Sequence, residues 1–154
     1  MSADRPENPF ATIAYEQMLN SRYALQNHPA HGFSAGLDRS ATVLLARLSV
    51  AEPMTIAELA EAFGLDISTV HRQVAAAIKA GLIEKIADPE GGQAKKHQPT
   101  AEGNRLLALE FEYREATTKK IMDGWSEAEI ADYQRLLEKF NRGIETLRNQ
   151  PWPR

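Results

Sequence analysis

Apolar residues recur every three or four positions over most of the chain, the spacing of helices with one buried face. Phe10, Ile13, Ala14, Met18 and Leu25 predict a first helix of about 15–18 residues, which His28-Pro29-Ala30-His31-Gly32 stops. Asp38 is placed to cap a second helix whose apolar face is Val43, Leu44, Leu45 and Leu48, and Glu52-Pro53 ends it. Thr55-Ile56-Ala57-Glu58 has the spacing of a capping box, ahead of Leu59, Ala60 and Phe63 on one face with Ile56. Gly64 supplies a turn, Asp66 stands where it can cap again, and Ile67, Val70, Val74 and Ile78 form the next buried stripe up to Gly81. Two short helices joined by Gly64-Leu65-Asp66 predict a helix-turn-helix.

After Gly81 the period changes. Leu82, Ile83 and Ile86 interleaved with charges predict a strand, Asp88-Pro89-Glu90-Gly91-Gly92 a loop, and Ala94–Gln98 a weak return strand ending at Pro99. This is a β-hairpin, or wing. Thr100 caps a helix carrying Leu106, Leu107, Leu109, Phe111 and Tyr113 toward Asp123-Gly124. Ser126-Glu127-Ala128-Glu129 is a second capping box, and Ile130, Tyr133, Leu136, Leu137, Phe140, Ile144 and Leu147 follow at helical spacing before the tail Gln150-Pro151-Trp152-Pro153.

The predicted class is mainly α with a small β-hairpin: a winged helix-turn-helix core flanked by N- and C-terminal helices. Residues 1–9 form a disordered lead, 10–36 the N-terminal helix and turn, 37–100 the winged block, and 101–154 the C-terminal helices and tail. The outer helices are too long and apolar to be covered by the middle block, so they are expected to pair with those of a second subunit in a homodimer.

Composition narrows the chemistry. The 154 residues include no cysteine, which excludes disulfides, thiolate metal sites and thiol redox sensing. No apolar run is long enough to span a membrane and the first residues lack a signal-peptide stretch, so a cytoplasmic location is expected, with no membrane partner. Net charge is −3, which gives no general support for nucleic-acid binding. His28 and His31 have a spacing a metal can use, but Pro29 marks a turn and no third ligand lies near, so no metal site is expected. No phosphate-cradling glycine motif and no nucleophile elbow is present, and neither an enzymatic activity nor a cofactor is expected.

On the helix from Asp66 to Ala80, Thr69, Arg72 and Ala76 fall opposite the apolar stripe, with Ser68, Gln73 and Lys79 on its flanks. Hydroxyls suit phosphates, a forked guanidinium suits guanine, an amide suits adenine, and Ala75-Ala76-Ala77 keeps the helix slim. His71, at the edge of the stripe, is read as a packed or backbone-bonded histidine rather than a base reader. Arg39, Ser40 and Thr55 stand at helix starts, for capping or for contact with a DNA backbone.

The run Leu59-Ala60-Glu61-Ala62-Phe63-Gly64-Leu65-Asp66-Ile67-Ser68-Thr69-Val70-His71-Arg72-Gln73-Val74, then Gly81-Leu82-Ile83-Glu84-Lys85, Asp88-Pro89 and Thr100-Ala101-Glu102-Gly103, resembles the MarR family of transcription regulators in order and spacing. The resemblance covers about residues 37–105. It implies a dimeric regulator, in the commoner mode a repressor, bound to double-stranded DNA at a pseudo-palindromic operator. It places DNA contacts at Ser68 and Thr69, to phosphates, and at Arg72 and Gln73, to base edges. The family's wing carries an arginine for the minor groove; here Gly91-Gly92-Gln93 takes that place, with Gln93 at the arginine position. Lys95, Lys96 and His97 are expected to compensate through phosphates. The family also implies a small aromatic effector, for which Tyr15, Met18, Tyr23, Phe33 and Trp125 are the candidate contacts. The alternative is a winged-helix dimer that acts through protein contacts without an operator.

Overall fold

A computed structural model describes residues 8–25 and 36–154. The chain divides into two compact units, 1–33 and 34–154. Within the first, α1 spans Pro9–Leu25. The Asn8 side chain accepts from the Phe10 N–H at 3.0 Å, so the helix takes in Pro9, assigned above to a disordered lead. Proline suits this first helical position because the N–H it lacks would have no intrahelical partner. Residues 26–35, with His28, His31 and Phe33, lie outside the described residues.

The second unit holds α2 (Arg39–Ser49), α3 (Ile56–Phe63), α4 (Ile67–Lys79), β1 (Ile83–Ile86), β2 (Lys96–Pro99), α5 (Ala101–Ile121) and α6 (Glu127–Arg148). The order is the predicted winged helix-turn-helix followed by two long helices. Local chemistry fixes most boundaries. Asp38 accepts from the Ala41 N–H at 2.8 Å. Thr55 and Glu58 satisfy each other's backbone N–H, as do Ser126 and Glu129. Gly64, at φ +61°, ends α3 in the left-handed region that favours glycine.

The core of this unit joins Leu44, Leu45 and Leu48 of α2, Leu59 and Ala60 of α3, Val70, Val74 and Ala77 of α4, and Leu82, Ile83 and Leu107 beyond. The α4 stripe departs from expectation at one end. Ile67 is 61% exposed, because the first residue of α4 projects past the core at the turn; Val70, Val74 and Ala77 are buried.

The hairpin is antiparallel, pairing Ile83 with Pro99 and Ile86 with Lys96. The return strand therefore starts later than expected and takes in Pro99. His97 and Met54 exchange both backbone hydrogen bonds, at 2.8 and 3.1 Å, on the side of β2 away from β1. Alternation puts the Pro99 nitrogen on that same outer side, where no ladder bond is lost.

Candidate nucleic-acid interface

The α3–turn–α4 segment presents one polar face of α4 to solvent. Ser68, His71 and Arg72 are exposed, and Thr69 is half-buried at the edge. An Arg72 Nη lies 3.4 Å from Thr69 Oγ1, one turn earlier, so the guanidinium folds along the helix toward its N-terminus. Ala75 and Ala76 continue this exposed surface without bulk. The expectation of a packed or backbone-bonded His71 fails: the ring faces solvent on the same surface as Arg72. Asp66 occupies the N-cap position, but its side chain makes no cap bond, contrary to expectation, and the first N–H groups of α4 are left without that partner.

Two apolar residues near the turn are not covered by the core, and Leu65 lines the groove described next. Leu65 in the turn and Ile67 at the start of α4 are exposed. The signal available was the position of Ile67 before the first full turn, where a stripe overshoots the core.

Gln73 is placed differently from Arg72. It is half-buried and lines a groove of about 820 Å³ with Arg39 and Ser40 of α2, Phe63 of α3, Ile144 of α6 and Trp152 of the tail. The structure thus brings Ser68, Thr69 and Arg72 onto one face, while Gln73, Arg39 and Ser40 meet at this groove behind it. Thr55 is used as the α3 cap.

The wing is ordered by Asp88. Its Oδ1 accepts from the Glu90 N–H at 2.9 Å, and its carbonyl accepts from the Gly91 N–H at 3.0 Å. A side chain at Gly92 would overlap the Asp88 carboxylate. Lys96 lies 3.7 Å from that carboxylate with its stem largely covered, so its charge is turned inward. Gln93 and Lys95 are exposed in the loop that leads into β2. His97, expected near phosphates, is 2% exposed, because the Met54 bridge folds its ring under the hairpin. Its Nδ1 donates to the Met54 carbonyl at 3.0 Å, and its Nε2 has no partner among the described residues. Burial is the main cause that holds its pKa below the usual histidine value, so the ring is neutral near pH 7. Arg72, Lys79, Lys85 and Lys95 enter none of the ion pairs seen among the described residues, whereas Arg105 is held by Glu102 at 2.8 Å.

Of the candidate effector contacts, three lie on α1 in the first unit and Trp125 lies in the second. Tyr15, Met18 and Tyr23 are exposed on α1, with only Tyr15 and Met18 one turn apart. Trp125 stands edge-on to Tyr133 at 5.7 Å.

The model of the MarR family matches residues 35–94. The HTH-type transcriptional regulator YxaD of Bacillus subtilis is 32% identical over 138 residues, covering 90% of this chain and 96% of its own. The chain belongs to the MarR family. It is a transcriptional regulator and not an enzyme. The crystal structure of MarR superposes with a TM-score of 0.71 at 18% identity, over 97% of this chain and 100% of its own. Streptococcus pneumoniae FabT, solved in complex with DNA, gives 0.60 at 18% identity, over 90% and 94%. Among the described residues no helix is long and apolar enough to cross a membrane, and no cluster of metal ligands is found.

Proposed function

We propose that this MarR-family regulator binds double-stranded DNA in a sequence-specific way as a homodimer, with α4 in the major groove and the β1–β2 wing beside it. The exposed face Ser68–Thr69–Arg72 carries the reading, with the hydroxyls on phosphates and Arg72 on a base edge. Gln73 is proposed for a base edge from the flank of α4, Gln93 and Lys95 for the wing contacts, and Lys96 for a phosphate only by leaving Asp88. That FabT, of the same fold, is solved with DNA supports DNA binding.

Residues 37–100 are read as the DNA-binding block, and 10–36 and 101–154 as the dimerising segments. The support is α6, where Ile130, Tyr133, Leu136, Leu137, Phe140, Ile144 and Leu147 stand exposed along one face. A two-fold dimer reads half-sites about 10 bp apart, centre to centre. Repression in the cytoplasm, relieved by a small aromatic effector, completes the reading. Tyr15, Met18, Tyr23 and Phe33 remain the proposed effector contacts.

A second reading, regulation through protein contacts, is favoured by the wing, where Gln93 replaces a cation and Asp88 neutralises Lys96. Fluorescence anisotropy with duplexes tiled across the gene's own upstream region separates the two. Saturable binding to one tile, tighter than a random duplex by at least about 10³-fold, supports the operator reading; equal weak binding to all tiles supports the other.

A further inference from the structure

Among the described residues α6 has no buried residue and packs extensively on no other element of its unit. At its N-terminal end it is joined to α5 by a turn through Gly124, at φ +81°. A rod of 22 residues, about 33 Å long, attached there alone would swing. Its other end is tied down by the tail.

The tie is built from Glu145 outward. Asn149 closes α6 at φ +51°. The chain then doubles back, and the Gln150 N–H donates to the Glu145 carbonyl at 2.9 Å. The Glu145 carboxylate accepts from the Trp152 N–H at 3.2 Å and from the Arg154 guanidinium at 2.6 Å. These bonds hold Trp152 at the C-terminal end of α6. Its ring stacks on Phe63, the last residue of α3, with centroids 6.2 Å apart and planes 27° apart. The Arg47 guanidinium of α2 lies 5.8 Å from the Trp152 centroid. Arg47 Nε and Nη1 are buried without a hydrogen-bond partner among the described residues, so the indole face is what that cation meets. The Gln150 amide lies over Gly64, where a side chain would collide with it. The tail therefore grips α2, α3 and the turn between α3 and α4 at once.

We infer that Trp152 is a positioning residue: stacked on Phe63 and faced by Arg47, it straps α6 to the helix-turn-helix and sets the angle between the dimerising arm and the recognition helix. In the dimer this angle fixes the distance between the two α4 helices, and so the half-site spacing that the protein accepts. The consequence for spacing rests on the function proposed above; the strap itself does not.

The test has two arms. The chain has no cysteine, so an Ala76→Cys/Glu138→Cys pair can be spin-labelled cleanly on α4 and α6. Diluted into unlabelled chain, it reports the intrachain distance by double electron–electron resonance, without DNA. The native tail gives one narrow distribution. Trp152→Ala, and Arg154→Glu, which repels Glu145 without touching the core, broaden it at least twofold, and Trp152→Phe restores it. An unchanged distribution in both Trp152→Ala and Arg154→Glu overturns the strap. In the second arm, cysteine-free protein is titrated with operators whose half-sites are moved apart by 2 bp. The native chain loses at least tenfold in affinity and Trp152→Ala less than threefold. A tenfold loss in both overturns the positioning role even if the strap is present.

Discussion

Gly103, in the first turn of α5, lies against the carbonyl of Leu82, so that a Cβ added there would overlap the Leu82 oxygen and stand 3.0 Å from Leu45 Cδ2. The contact is held by Thr100, whose hydroxyl accepts from the Gly103 N–H at 3.0 Å and donates to the Gly81 carbonyl at 2.6 Å. The Thr-x-x-Gly spacing at the entry to α5 thus locks the long helix onto the strand that starts the wing. Gly103→Ala is expected to destabilise the fold by about 1–3 kcal/mol, because backbone rather than a flexible side chain must move. That lowers the melting temperature by roughly 3–10 °C in thermal denaturation. Melting with the native chain would contradict the contact.

His97 makes stability depend on pH in a defined direction. Burial, opposed by the hydrogen bond to the Met54 carbonyl and helped by the nearby charge of Lys85, lowers its pKa in the folded state against the reference of 6.5. As pH falls through about 6.5 the unfolded chain therefore takes up a proton that the folded chain refuses. The stabilisation is present above that pH and is lost below it. The melting temperature is expected to fall between pH 7.5 and 5.5, and His97→Gln to flatten most of that fall. A variant as pH-dependent as the native chain would show that His97 is not responsible.

From Asp66 to Arg105 the chain carries six basic and five acidic residues, and two of the bases are already paired with Asp88 and Glu102. Binding to DNA should therefore depend modestly on salt, with a log–log slope well short of about −8. Lys95→Ala is expected to reduce the slope by about 0.9, the loss of one phosphate contact, and Lys96→Ala to leave it nearly unchanged. Gln93→Arg should tighten binding, since it returns a cation to the wing. Titrations at three or more salt concentrations check all three; equal effects of Lys95→Ala and Lys96→Ala would contradict the inward role of Lys96.

The apolar face of α6 is predicted to be covered by a second chain. The native protein should sediment with the mass of two 17.1 kDa chains. Leu137→Glu, at the middle of that face, should convert it to monomer, since a carboxylate buried at an interface without a partner costs several kcal/mol. A native monomer in analytical ultracentrifugation, or a variant that stays dimeric, contradicts this assignment.

Elements set by neighbours within one turn were legible in the sequence. Thr55 with Glu58 and Ser126 with Glu129 form the expected boxes, and the punctuation at Gly64 and Gly81 falls where read. What depends on distant packing was not legible. His71 faces solvent, and His97 is buried beside Met54, a partner 43 residues away in sequence. The periodicity placed Ile67 in the core because it counts residues and not where the neighbouring helices end. The tail read as a plain end, since nothing local to Trp152 announces Phe63 and Arg47 as its partners. Of the candidate reading face, the exposure of Arg72 followed from the helical wheel, whereas the half-buried seats of Thr69 and Gln73 depend on what packs beside α4.

The proposed role of α4 is to read base sequence through Arg72. The direct measurement is fluorescence anisotropy of native protein and Arg72→Ala on the operator tile, on single-base variants of it, and on a random duplex at one salt concentration. Arg72→Ala is expected to weaken operator binding by about 1–3 kcal/mol, roughly 5- to 150-fold, and to level the preference at one base pair in each half-site, with random-duplex binding changed far less. An equal loss on operator and random duplexes would reduce Arg72 to a phosphate contact, and no loss at all would contradict the assignment of α4 as the reading helix.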